Sequence, residues 1–459
     1  MDNKKRLFGT DGVRGVANSE LTCEMAFGLG AAAVKLLGST LVIGRDTRIS
    51  GSMLEAALIA GITSHGGKVL LAGIIPTPAV ALLTRALHAD GGVVISASHN
   101  APEYNGIKIF DAEGFKLSSS TEDELEACMK EILFRGEEQL GCASTPLPTG
   151  SGVGIAEEIK DAHERYIEHA VNILKKENVS LKGLKVAVDC GNGAAFYTTP
   201  ETLRRLEAEV VTINDSGDGS IINVKSGSTD LGQLKELVEK TGAHVGIAHD
   251  GDADRVIAVS ASGEEIDGDF TMAICALDRK ATRGIPGNTL VSTVMCNLGF
   301  KQAMEENNMQ VIQAPVGDTN VLAAMRKGGY VIGGEQSGHM IFIEHNSTGD
   351  GLVTALMLLA AMQRSGKTLD ELASDAMKKY PQVLINVRGV DKHKLNDNEA
   401  IAVASNEAQE ELQANGGGRV LIRASGTEPL VRVMVEAAGE DTAKRIAQKL
   451  AETVEAQLT

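Results

Sequence analysis

The chain has 459 residues, a length that suits roughly three or four domains, and its 43% hydrophobic content and 51 glycines allow large cores joined by many tight turns. A formal net charge of −17, 3% aromatic residues and no tryptophan exclude a nucleic-acid stacking surface or an anionic lipid as the expected partner. Any anionic substrate must therefore be held by a local cluster of cations.

The N-terminal MDNKKRLFG lacks the apolar stretch of a signal peptide, and GLGAAA (28–33) sits inside the helical run TCEMAFGLGAAAVKLLG. Without a strand before it, that GxGxxA pattern reads as a packed helix face and not as a dinucleotide turn. LVIG (41–44), the helix-like SGSMLEAALIAGITSH, KVLLAG (68–73), PTPAVALLTRAL and VVI (93–95) then alternate as βαβ units, which predicts a mostly parallel sheet covered by helices. CASTPLPTGSG (142–152) reads as a linker. The strand–helix rhythm restarts at LKVAVDCGNGAA (184–195) and at TLVSTVM (289–295). The longest apolar run, GLVTALMLLAAM (351–362), falls short of the ~20 residues that span a bilayer. After RSGKT (364–368), RVLIRAS and LVRVMVEA read as two strands around a turn, followed by the helical TAKRIAQKLAETVEAQL. The expectation is three similar α/β domains and a smaller C-terminal α+β domain, with boundaries 1–148, 149–258, 259–367 and 368–459. Cys23, Cys128, Cys142, Cys190, Cys275 and Cys296 form no CxxC pair and no zinc spacing, so they read as buried free thiols in a reducing cytoplasm.

Four stretches carry chemistry. In GGVVISASHN (91–100) an apolar strand ends in small polar groups; either these make a turn, or Ser96 or Ser98 is a nucleophile at the mouth of a sheet. HDGDADR (249–255) places Asp250, Asp252 and Asp254 at i, i+2 and i+4 between two strands. Three carboxylates turned toward one point call for a divalent cation, and hard oxygen ligands favour magnesium. An EF-hand is rejected because its sixth and twelfth positions would be Arg255 and Ala261. A solvated acidic turn is the bland alternative, and a phosphatase using Asp250 as nucleophile is the chemical one. GGEQSGH (333–339) offers Glu335 and Ser337 for hydroxyls and His339 for proton exchange. RASGTEP (423–429) offers Arg423, Ser425, Gly426 and Thr427 as a phosphate cradle, with Arg432 just beyond; a plain hairpin turn is the alternative. FGTDGVRG (8–15) and GRDTRISG (44–51) add Arg14, Arg45 and Arg48 as candidate local cations, surface salt bridges being their default.

Taken in order, SASHN with NGIK behind it, DGDADR, GEQSGH and RASGTEP resemble the α-D-phosphohexomutase superfamily over essentially the whole chain. FGTDGVRG and the GEQSGH form of the sugar loop are similar to those of its glucosamine-phosphate branch. The resemblance implies four domains with mixed sheets, heart-shaped around a central cleft. It implies a phosphorylated nucleophile at Ser98, flanked by His99, with Lys108 of NGIK and Arg14 nearby. It implies one Mg2+ held by Asp250, Asp252, Asp254 and the Ser98 phosphate, with Arg255 as an adjacent phosphate contact. Glu335 and Ser337 would meet sugar hydroxyls, His339 would accept a proton, and Arg423, Ser425, Gly426, Thr427 and Arg432 would bind the second phosphate. The implied reaction interconverts hexose 6- and 1-phosphates through a bisphosphate, with glucosamine 1,6-bisphosphate or a related hexose bisphosphate as activator. Glucosamine phosphate is the expected substrate, feeding amino-sugar nucleotide and peptidoglycan precursors; glucose or mannose phosphate is the alternative. A cytoplasmic enzyme is expected, and a homodimer is compatible with the reading. The chain departs from the pattern at Ala101-Pro102 after SASHN, at GDTN (317–320) for GDRY, and at SGSTD (226–230) for CGSTH.

Overall fold

The structure is a computed structural model and describes residues 6–9, 11–134, 152–395, 397–425 and 429–459. The chain divides into two compact units, residues 1–294 with 312–375, and residues 295–311 with 376–459.

In the first unit, β1 (Phe8–Gly9), β2 (Gly12–Val16), β3 (Thr40–Arg45), β4 (Lys68–Ile74), β5 (Gly91–Ile95), β6 (Tyr104–Asp111) and β7 (Ala156–Glu158) form a seven-stranded sheet ordered β1-β2-β6-β5-β3-β4-β7. β5, β3, β4 and β7 run parallel, as the βαβ rhythm predicts, while β6, β2 and β1 add antiparallel strands on the other side. The helix Cys23–Leu36 buries Gly28 through Ala33, so GLGAAA is a packing face. It shares a core with Leu54, Leu58 and Ile62 of the helix Gly51–Ser64 and with Leu41, Ile43, Val93 and Ile95 of the sheet.

β8 (Lys185–Asp189), β9 (Glu209–Ile213), β10 (Val245–His249), β11 (Val256–Ser260) and β12 (Glu265–Ile266) form a second mixed sheet, ordered β12-β11-β10-β8-β9. β13 (Thr289–Thr293), β14 (Gln310–Ala314), β15 (Ile332–Gly334) and β16 (Met340–Phe342) form a third, ordered β14-β13-β15-β16. The apolar run at 351–362 is buried along the helix Gly351–Ser365, whose first turn is capped by Asp350. Among the described residues no helix is long and apolar enough to cross a membrane.

The second unit carries β17 (Gln382–Arg388), β18 (Gly418–Ala424) and β19 (Leu430–Ala437), all antiparallel in the order β17-β19-β18. The sequence reading expected only the last two strands; β17 lacks clean alternation because apolar Leu384 lies on its exposed face between Val383 and Ile385. The helices Glu399–Ala414 and Glu440–Leu458 close the core over Val431, Val433 and Val435 with Leu412, Ile446 and Leu450. Cys190, Cys275 and Cys296 are buried thiols, but Cys23 and Cys128 are only half-buried. Cys142 and nearly all of the expected linker (142–151) lie outside the described residues.

Candidate functional site

The polar end of β5 is explained by a buried scaffold and one strained residue. Ser96 Oγ donates to Asp46 Oδ2 at 2.6 Å and accepts from the Ser98 amide at 2.9 Å, so Ser96 is the turn-making serine. Ser98 is fully buried and sits at φ +52°, a left-handed conformation that is uncommon outside glycine. Arg48 fixes the loop from beneath. Its guanidinium bonds Asp46 at 3.0 Å and the carbonyls of Ser98 (3.0 Å), Asn100 (2.7 Å), Tyr104 (3.0 Å) and Ala101. It is 1% exposed, which corrects the expectation of a surface cation; Arg45 pairs with Glu55 at 3.2 Å. Arg48→Lys supplies too few donors for five acceptors. We expect it to lower stability by about 3 kcal/mol or more, since each buried carbonyl left without a donor costs about 1–3 kcal/mol, read as a lower urea midpoint.

The DGDADR segment forms the turn between antiparallel β10 and β11, and it points its carboxylates at the serine. Ser98 Oγ donates to Asp250 Oδ2 at 2.5 Å, with the His99 Nδ1 atom 3.4 Å from the same Oγ. Asp250, Asp252 and Asp254 each offer an oxygen within 4.8 Å of the others, and all three are buried. Among the described residues the buried Oδ1 atoms of Asp252 and Asp254 have no hydrogen-bond partner. Orphaned carboxylate oxygens in such a cluster fit a divalent cation, so this donor set could hold one. Burial, then Asp254 and Asp252, pushes Asp250 well above the ordinary carboxylate range, the strain that a cation would relieve.

Lys108, on β6, offsets part of this charge. Its Nζ lies 2.7 Å from Asp252 Oδ2, 3.3 Å from Asp254 Oδ2 and 3.0 Å from Asp11 Oδ2. Burial works against its charge, but these three carboxylates hold its pKa well above the ordinary lysine value. Burial also opposes ionisation of Asp254, yet Lys108, His339 and Arg255 hold it down to about 2. Thr77 orients Asp252 by donating to its Oδ2 at 2.6 Å. His249, not anticipated from the sequence, braces the turn: its Nδ1 lies 3.2 Å from the Arg255 carbonyl and its Nε2 3.1 Å from Thr199 Oγ1. A carbonyl only accepts, so Nδ1 carries the proton, and burial lowers the ring to about 4, keeping it neutral. Burial, with Arg255 and Arg14, does the same for His99, also to about 4.

The GEQSGH loop joins the same cluster. Arg255 bridges to His339, and the Val256 amide donates to the Gly338 carbonyl at 3.1 Å. Gly338 has φ +87° and would place a Cβ 2.2 Å from the Val256 carbonyl oxygen, so only glycine fits there. Asp11, Asp254, Arg255, Asp318, Glu335 and His339 line a cavity of about 150 Å³. Among the described residues both ring nitrogens of buried His339 lack a hydrogen bond, with Nε2 3.7 Å from Asp318 Oδ2. Glu335 accepts from the Gly317 amide at 3.1 Å through Oε1, and Ser337 is exposed at the loop tip. Arg14 donates to Asn100 Oδ1 at 3.1 Å and pairs with Asp11.

Three further residues escaped the sequence reading. Buried Lys116 pairs with both Asp11 and Asp318, tying the Lys108 cluster to the wall beneath His339. Asp11 lies within FGTDGVRG and Asp318 within GDTN, but Lys116 belongs to no motif.

On the second unit, Arg423 and Arg432 stand directly opposite each other on β18 and β19. Like charges in register are unfavourable, and burial followed by Arg432 lowers the Arg423 pKa. The Ser425 carbonyl accepts from Lys392 Nζ at 2.7 Å. This concentration of cations suits an anion. Gly426 and Thr427 lie outside the described residues.

Comparisons with known proteins agree along the chain. Family descriptions of phosphoglucomutase/phosphomannomutase match in order: alpha/beta/alpha domain I over residues 5–136, domain II over 164–263, domain III over 267–380, and the C-terminal domain over 384–453. The chain is 50% identical over 462 residues to a phosphoglucosamine mutase of Caldanaerobacter subterraneus subsp. tengcongensis, covering 99% of each. It is 49% identical over 455 residues to one of Clostridium tetani, covering 98% of this chain and 99% of the relative. Among solved structures, a putative phosphomannomutase from Thermus thermophilus is 26% identical with a TM-score of 0.76, covering 97% of this chain and 98% of the other. A family protein from Burkholderia thailandensis shares the fold at a TM-score of 0.81 and 24% identity, covering 98% and 97%. By sequence along nearly its full length and by fold, the chain belongs to the phosphoglucomutase/phosphomannomutase family, the phosphohexomutase isomerases.

Proposed function

We propose that this chain interconverts glucosamine 6-phosphate and glucosamine 1-phosphate, with Ser98 as the residue that carries the phosphoryl group. The observation behind this reading is the Ser98 hydroxyl, 2.5 Å from Asp250 in a cluster of three buried carboxylates. The choice of sugar rests on relatives named phosphoglucosamine mutase that are 48–50% identical over nearly the full chain.

The donor set favours Mg2+, which when bound neutralises charge on the transferring phosphoryl group. The bond from phosphorus to Ser98 Oγ breaks as the bond to a sugar oxygen forms, and the displaced hydroxyl proton passes to a free ring nitrogen of His339. The resulting bisphosphate turns end for end, and its other phosphate returns to Ser98 Oγ as its bond to the sugar oxygen breaks and that oxygen takes the proton back from His339. Lys108, Arg14 and Arg255 stabilise the group in flight, while Arg423 and Arg432 are assigned a phosphate of the sugar. Glu335 keeps Oε2 for the substrate. A phosphatase using Asp250 as nucleophile is the alternative, and a stable phosphate on Ser98 in intact-mass analysis separates the two. A hexose bisphosphate activator, a cytoplasmic location and a homodimer belong to this reading; light scattering tests the last.

Turnover of glucosamine, glucose and mannose phosphates by one preparation tests the sugar. A charge-assisted hydrogen bond from the sugar ammonium to Glu335 is worth about 1.5–3 kcal/mol, or roughly ten- to a hundredfold in kcat/KM. Glucosamine phosphate should lead by that factor, and Glu335→Gln should narrow the gap. A ratio favouring glucose or mannose phosphate overturns the assignment.

Lys116→Met should lower turnover by about 10- to 100-fold, the usual effect of losing a group that orients primary ones. It leaves Asp11 and Asp318 without their shared cation; Lys116→Arg should recover part of the activity in the same assay.

A further inference from the structure

We propose that the first unit holds a second ligand site, away from Ser98, that takes a small phosphorylated metabolite. A cavity of about 560 Å³ lies among the helices Ala162–Lys176, Gly268–Thr282 and Gly351–Ser365, within the 300–1,000 Å³ range of small-molecule sites. His169, Lys176, Glu177, Arg283, His345 and Arg364 line it, and none of them is part of the Ser98 and Asp250 cluster.

Its charges are arranged so that some cations are spent and others are free. Glu177 holds Arg283 at 2.7 Å and Arg364 at 2.9 Å. Arg364 also bonds Asp278 through Nε at 3.0 Å and through Nη2, so its donors are largely committed. Among the described residues Arg283 commits only Nη2, and its side chain is 41% exposed, which leaves N–H groups for a ligand. Lys176 makes no ion pair among the described residues, and neither Asn172 nor the His345 ring has a hydrogen bond there. Glu344, the other lining carboxylate, is neutralised by Arg279 at 2.8 Å. Three cations, Lys176, Arg283 and Arg364, thus line the cavity with two carboxylates, Glu177 and Glu344, a local positive excess within a chain of net charge −17.

A guanidinium, an ammonium and an imidazole lining one cavity suit a phosphate group, which accepts from all three. Inorganic phosphate alone would fill little of the volume, and Ile173 gives an apolar contact, so an organic phosphate ester is the matching class. The His345 carbonyl is held by His169 Nε2 at 3.0 Å, and the segment that it begins runs on to Gly349, which packs against the His339 ring.

The test uses the full chain with ring-labelled histidines, ten in all, whose signals are assigned by His169→Gln and His345→Gln. Adenosine 5′-monophosphate is titrated as the probe beside inorganic phosphate. The expected result is saturable shifts of the His169 and His345 signals at a Kd below about 1 mM, with His99 and His339 unmoved and inorganic phosphate weaker by about tenfold. Arg283→Ala should weaken binding by about tenfold or more, the value of one charge-assisted bond. Lys176→Glu, at an exposed side chain with no ion pair among the described residues, should do the same without touching the fold. Absence of a saturable shift, equal binding of inorganic phosphate, or undiminished binding by Lys176→Glu overturns the proposal.

Discussion

Ser98→Ala is expected to abolish mutase turnover, by about 10⁴-fold or more, because it removes the only oxygen that can carry the phosphoryl group in the proposed cycle. The fold should survive, since Ser98 packs little and the loop is held through backbone groups, with Arg48 and Asn223 both bonding the Ser98 carbonyl. Alanine in a left-handed conformation costs about 1 kcal/mol, too little to unfold the unit. Intact-mass analysis of the unmodified protein should find one phosphate, and peptide mapping should place it on Ser98. Ser96→Ala makes the informative contrast. It strips a donor from Asp46 and an acceptor from the Ser98 amide, so activity should fall but remain measurable. A phosphate on Ser96, or an active Ser98→Ala protein, would overturn the nucleophile assignment.

The contrast between Ser96 and Ser98 also marks where the sequence stops being readable. Short-range patterns were legible: β-branched runs gave strands such as β3, β4, β5 and β8, and D-x-D-x-D gave three carboxylates that converge on one turn. Arg48 was not, because an isolated arginine defaults to solvent, and its five acceptors include four carbonyls of a loop some fifty residues away. Lys116 was hidden for the same reason, since its partners Asp11 and Asp318 are 105 and 202 residues distant. His249 stood in plain view inside HDGDADR, yet its neutral bracing role follows only from burial beside Thr199 and the Arg255 carbonyl. β17 was missed because apolar Leu384 on its exposed face blurs the period-2 signal. Patterns fixed by neighbours in sequence carry over; charges that meet across several elements do not.

The second large effect is expected at the acidic turn. Asp252→Asn should lower kcat by about 10²–10³-fold, the range seen when one preorganised electrostatic group is removed. Asp252 Oδ2 already accepts from Thr77 at 2.6 Å and from Lys108 at 2.7 Å, and Oδ1 has no partner among the described residues. An asparagine keeps both bonds only by placing its carbonyl where Oδ2 was, which turns the NH2 group toward the cation position. The ligand there is lost and a donor faces the ion instead. The substitution should therefore raise the Mg2+ concentration needed for half-maximal rate as well as lower the plateau, and Lys108, deprived of one charge partner, should not restore it. Asp252→Glu keeps the charge but overfills a fully buried position, so it should recover little. Stripping the unmodified protein with excess chelator should stop turnover, and added Mg2+ should restore it. Full activity in chelator, with metal content verified as nil, would mean that Asp250, Asp252 and Asp254 serve Lys108 and Arg255 alone and hold no ion.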